Sequence, residues 1–150
     1  MLALNRNSPD GYDSAMPAGY SGTPLARKLG VKPDYTVAVI NGPPELEDLL
    51  APLPENVTIR DSLRGKPDLV LAFFTERSKL RARLPALTKA IYPDGGLWLA
   101  WPKQASGVAT DLSGGTIREL GQAAGVVDIK VAAISDVWSG HRFAVRLVDR

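Results

Sequence analysis

No cysteine occurs in the 150 residues, which excludes disulfides, thiolate zinc sites and cysteine nucleophiles. A single histidine, His141, excludes a multi-histidine metal centre within one chain. Neither sign of charge dominates. The 18 Lys+Arg against 16 Asp+Glu leave +2, too little for charge alone to indicate nucleic acid or an acidic membrane surface. No apolar run approaches the ~18 residues that span a bilayer. Met1-Leu2-Ala3-Leu4 runs straight into Asn5, Arg6, Asn7 and Ser8-Pro9, which does not read as a signal peptide. There is no D-x-D-type calcium loop and no G-x-G-x-x-G. The expectation is a soluble cytoplasmic protein with no membrane partner and no metal site.

What is present is the material of one domain, since ~100–200 residues per domain is usual. Residues 1–18 carry Asn, Ser, Pro, Asp and Gly with little apolar content and read as a disordered tail. Met16, just before the first organised stretch, is an alternative start. Residues 19–150 read as a single domain. Thr23-Pro24 should cap and open a short helix that Gly30 ends. Thr36–Ile40, Val57–Arg60, Asp68–Phe74 and Gly95–Trp101 read as strands. The last two are apolar on both faces, as central parallel strands are.

Helices are expected over Glu45–Leu50, Glu76–Ile91 and from Asp111 or Ser113 to about Ala124. In the second of these, Leu80, Leu84, Leu87 and Ile91 fall at helical spacing, and Pro85 should kink or split it. Val127–Val131 and Arg142–Leu147 alternate polar with apolar and read as an antiparallel pair joined by Ser135–Gly140. The whole is an α/β three-layer sandwich, a mostly parallel sheet of about six strands ending in an antiparallel hairpin.

In such sheets ligands lie outside the carboxyl ends of the strands, near the switch in strand order. That rule selects Asn41 and Gly42, Asp61, Thr75, and the loop holding Lys103, Ser106, Thr110 and Asp111 as candidate ligand-binding residues. Lys103 can hold an anion as a point charge. Ser106 and Thr110 can donate hydrogen bonds, and Asp111 can accept a hydroxyl or cap a helix. Asp61 follows Gly42 at close to the spacing of ~20 residues at which a ribose-binding carboxylate is expected. Tyr20 could fold over such a pocket. His141, near Asp136 and Ser139, reads as a surface histidine at a hairpin rather than a triad member. Arg77, Lys79, Arg81, Arg83 and Lys89 around one acid, Glu76, read as a solvated helix face. An RNA site there is the weaker reading.

The order of elements resembles class I S-adenosylmethionine-dependent methyltransferases, whose fold is Rossmann-like. A closer resemblance rests on Gly19-Tyr20-Ser21-Gly22-Thr23-Pro24-Leu25-Ala26, Trp98–Lys103, Ala105–Leu112 and Trp138-Ser139-Gly140. These stretches look like a small bacterial family of uncharacterised domains, a domain of unknown function with no activity attached to it. The methyltransferase resemblance implies seven strands and, after the first, a carboxylate followed by several glycines. Here the strand ends Ala38-Val39-Ile40, one glycine remains, and Pro43 and Pro44 lack N–H donors. One αβ unit is missing between residues 41 and 68. The leading expectation is therefore a non-catalytic or small-ligand-binding derivative with a degenerate cofactor loop and S-adenosylmethionine not favoured. The alternatives are an active methyltransferase with an atypical cofactor loop, or a protein- or RNA-interaction module. Edge strands and two tryptophan stretches make a homodimer an open expectation.

Overall fold

The computed structural model describes residues 23–150. Tyr20, the tail and Met16 lie outside the described residues. Six strands form one sheet: β1 (Thr36–Ile40), β2 (Thr58–Arg60), β3 (Leu69–Phe73), β4 (Gly96–Pro102), β5 (Val126–Ala133) and β6 (Trp138–Val145). Their order is β2-β1-β3-β4-β6-β5. The first four are parallel. β6 alone runs against the rest, antiparallel to both β4 and β5. The hairpin thus folds its second strand inward and leaves β5 at the edge.

Helices cover both faces. The chain places α1 (Leu25–Lys28) and α2 (Leu46–Leu50) on one, α3 (Arg77–Ile91) and α4 (Gly114–Ala123) on the other. Alternation within each strand sorts the core. Val37, Leu69, Leu71, Phe73, Trp98 and Ala100 meet α1 and α2. Ala38, Ile40, Val70, Ala72, Leu97 and Leu99 meet Leu80, Leu84, Leu87 and Ile91 of α3 and Ile117 of α4. β3 and β4 are buried throughout, as strands covered on both sides must be.

Some local expectations shift. Pro24, not Thr23, occupies the cap position of α1, and no side chain bonds to that helix end. α3 is one helix through Pro85, whose ring is exposed. Thr88 Oγ1 donates to Leu84 O at 3.0 Å in the turn that follows. Ser113 caps α4, accepting from Thr116 N at 3.2 Å. The link between β5 and β6 is shorter than Ser135–Gly140, because pairing continues to Ala133 and resumes at Trp138. Trp101 is 8% exposed and Trp138 packs edge-on against Phe73 at 5.1 Å, so the tryptophan stretches are largely core. No helix among the described residues is long and apolar enough to cross a membrane.

Candidate functional site

The strand order reverses at β1: the chain passes outward to β2, then back across β1 to β3. The crevice outside the carboxyl ends of β1, β2 and β3 is where an open α/β sheet takes its ligand. A cleft of about 790 Å³ opens there, within the ~300–1,000 Å³ of small-molecule sites. Val39, Leu46, Leu50, Leu53 and Ile59 line it with apolar surface. Asn41, Glu47, Arg60, Asp61 and Arg83 supply its polar groups.

Asn41, Gly42 and Asp61 of the expected residues meet in this cleft. Asn41 adopts φ +57°, a conformation asparagine tolerates better than most side chains. Its Nδ2 donates to Phe73 O at 3.1 Å, tying β1 to β3 across the switch and leaving Oδ1 as an acceptor. Gly42 has a local reason to be glycine. A Cβ there would stand 2.6 Å from Val39 Cγ1, so the turn folds back onto its own strand. Asp61 is exposed at the rim, one residue beyond β2.

Thr75, Lys103, Ser106, Thr110 and Asp111 form a second group at the ends of β3 and β4. Thr110 Oγ1 donates to Thr75 O at 2.6 Å and accepts from Leu112 N. Ser106 Oγ donates to Lys103 O at 2.6 Å and accepts from Val108 N. Asp111 Oδ1 accepts from Arg77 N at 2.7 Å and caps α3, whose own cap residue Glu76 makes no side-chain bond to it. The loop after β4 is thereby fastened to the loop after β3, and its short polar side chains satisfy backbone groups. Replacing Asp111 by Ala should cost about 0.5–2 kcal/mol of stability, the usual loss for a helix cap. Urea unfolding would measure it, and an unchanged midpoint would show that the cap contributes nothing.

His141 departs from the surface reading. It is 5% exposed on the α4 face of β6, opposite Leu99 of β4 and Val131 of β5. It stacks on Phe143 at 4.6 Å, and Nδ1 is buried without a hydrogen bond. The surface reading fails because β6 lies between β4 and β5. Asp128 of β5 stands 3.7 Å from Nε2 and pairs with Arg118 of α4 at 3.4 Å. Burial pushes the His141 pKa below its ordinary 6.5, and Asp128 only partly opposes this. The imidazole is neutral in the fold, so protonation below pH 6.5 favours the unfolded chain. Stability should be flat above pH 7 and fall as pH drops through 6.5, with a limiting slope of ~1.4 kcal/mol per pH unit for one proton. His141→Leu should flatten that region of a urea-unfolding series from pH 8 to 5. The same slope in the variant would assign the effect elsewhere.

Sequence reasoning missed Leu53, Ile59, Arg60 and Arg83. Arg60 was within reach, as the residue before Asp61 at a strand end. Arg83 carries no such signal, since only the packing of α3 against the sheet brings it to the cleft.

Comparisons with known proteins bear on the fold. A methyltransferase dependent on S-adenosylmethionine from Aquifex aeolicus superposes with TM-score 0.56 at 14% identity, over 79% of this chain and 86% of that one. Magnesium protoporphyrin IX methyltransferase from Synechocystis PCC 6803, solved with S-adenosylhomocysteine, gives 0.56 at 14% identity over 81% and 78%. The 1,6-didemethyltoxoflavin-N1-methyltransferase of Burkholderia thailandensis gives 0.52 at 13% over 81% and 75%. The fold is that of the Rossmann-like methyltransferases. No family model and no curated protein matches the chain, so the resemblance to an uncharacterised bacterial family rests on the residue stretches that carry it.

Proposed function

We propose that the chain binds S-adenosylmethionine, or its demethylated product S-adenosylhomocysteine, in the cleft at the carboxyl ends of β1 and β2, and acts as a methyltransferase. The observation that carries this is the position of Asp61. A carboxylate at the tip of β2, on the rim of a cleft beside the strand-order switch, suits the hydroxyls of a ribose. The volume suits a ligand of this size. Asn41 Oδ1 offers an acceptor for an amine deeper in the crevice. The solved methyltransferases of the same fold support the reading.

S-adenosylmethionine supplies an electrophilic methyl group. The part left to this chain is positioning and exclusion of water. The apolar floor of Val39, Leu46 and Leu50 would exclude water from one side of the ligand. Ser106, Thr110 and Asp111 are committed to backbone groups. A general base from that loop is therefore not part of the proposal, and catalysis would rest on orientation.

That commitment favours one second reading, a small-ligand-binding derivative that holds the nucleoside without turnover. The test is stabilisation of the chain by S-adenosylhomocysteine, followed by methyl transfer to candidate acceptors. Stabilisation without transfer would select the second reading, and no stabilisation would remove both.

A further inference from the structure

α3 and α4 share one face of the sheet, α3 against β3, β4 and β6 and α4 against β5 and β6. Helices in one layer fill the space between them with side chains. Here the facing positions are small: Pro85 and Thr88 on α3, Ala123 and Ala124 at the end of α4. A groove of about 670 Å³ is left between the helices, floored by buried Leu84 and Leu120. At Thr88 and Ala124 it adjoins a second depression of about 390 Å³, floored by buried Val126 and Val145. From Arg77 to Tyr92 the wall runs the length of α3, about 22 Å at ~1.5 Å per residue.

The α3 wall is cationic. Arg77 and Arg81, one turn apart, stand at one end, and Lys89 with Lys66 at the other. The lining holds a single acid, Glu119, on the α4 wall. Among the described residues, no carboxylate lies within ion-pair distance of Arg77, Arg81 or Lys89. An apolar floor beneath a cationic wall is complementary to an acidic ligand with an apolar face. The walls also select its backbone form. They are helices, whose own backbone groups are already bonded. A strand laid there would leave its N–H and C=O groups without partners, whereas a helix satisfies them internally. The bases of a nucleic acid need aromatic faces to stack on. The groove offers one, Tyr92, and Lys66 Nζ already lies over its ring at 5.9 Å.

We infer that this groove docks an acidic amphipathic helix of a partner protein, about four turns long. Its apolar face rests on Leu84 and Leu120, and its carboxylates face Arg77, Arg81 and Lys89. The groove shares no lining residue with the cleft at β1 and β2, so the inference stands apart from adenosyl binding.

Fluorescence anisotropy of a labelled synthetic peptide with the full chain tests it. The probe has about 16 residues, matched to the length of α3, with leucine at helical spacing on one face and glutamate on the flanks. It should bind saturably at low salt and more weakly as salt rises. Arg77→Glu combined with Arg81→Glu should weaken binding about tenfold or more, since each position exchanges an attraction for a repulsion. Ala123→Gln, which sets a polar side chain into the apolar wall without a change of charge, should weaken it severalfold. All three residues are exposed, so the variants should fold normally, which their unfolding midpoints would confirm. A peptide of the same composition with its leucines scattered should bind much more weakly. Equal binding of the scattered peptide, or full binding by the charge-reversed variant, would overturn the docking site. So would the absence of saturation up to about 1 mM probe. Tighter binding of a labelled oligouridine than of the peptide, lost on charge reversal, would assign the surface to RNA and overturn the inference as well.

Discussion

Saturating S-adenosylhomocysteine should raise the melting temperature of this chain by about 5–11 °C. A ligand at 100 times its dissociation constant adds ~2.7 kcal/mol to the folded state. A domain of this size gains ~2–4 °C per kcal/mol. The shift should grow with the logarithm of ligand concentration, which separates specific binding from a solvent effect. Asp61→Ala should remove most of it. Hydrogen bonds from hydroxyls to a charged carboxylate contribute ~1.5–3 kcal/mol, which corresponds to a weakening of roughly tenfold to over a hundredfold. Asp61 is exposed and makes no hydrogen bond in the fold that the described residues reveal, so the variant should melt normally without ligand. An undiminished shift in Asp61→Ala would move the ribose elsewhere in the cleft. No shift in the unsubstituted chain at millimolar ligand would mean that the fold has parted from the cofactor its structural relatives bind.

How much of this the sequence discloses depends on whether a signal is local. Leu80, Leu84, Leu87 and Ile91 repeat at helical spacing, and they are the buried stripe of α3. The unalternated runs of β3 and β4 declare strands covered on both faces, and both are. The ligand edge follows from strand direction alone, so Asn41, Gly42 and Asp61 could be named as cleft residues without coordinates.

What stays hidden is pairing at a distance. Alternation in Arg142–Leu147 suggests a half-exposed strand, yet β6 lies between β4 and β5 and its His141 is buried. The hydrogen bond from Arg77 N to Asp111 spans two loops. It makes Asp111 a cap for α3 rather than for the helix that follows it, and nothing near either residue announces the other. Arg83 is read as part of a solvated basic face because five cations ring α3. In the fold they disperse: Arg83 faces the cleft, Arg77 and Arg81 line a groove beside α4, and Lys79 pairs with Glu76.

Trp98→Ala should be the most destabilising single substitution considered, at about 3–5 kcal/mol. Trp98 is fully buried in the middle of β4, opposite Leu71 of β3 and Arg142 of β6. Its indole fills the layer between the sheet and α1. Gly140 of β6 must be small to admit it, since a Cβ there would lie 3.0 Å from Trp98 Cε3. Nε1 donates to Leu29 O at 2.8 Å, at the end of a helix only four residues long. A helix that short has no stability of its own, so α1 depends on this contact and on the burial of Ala26 and Leu29. At ~2–4 °C per kcal/mol the melting temperature should fall by about 6–20 °C. Trp98→Phe separates the two contributions. It keeps most of the apolar volume and strands the Leu29 carbonyl, which Arg142 Nη1 already approaches at 3.4 Å, so the loss should be nearer 1–3 kcal/mol. Urea unfolding of both variants reads the difference. A loss in Trp98→Ala no larger than in Trp98→Phe would assign the role of Trp98 to its hydrogen bond. A loss below about 2 kcal/mol in Trp98→Ala would mean that α1 and the sheet collapse onto the vacated space.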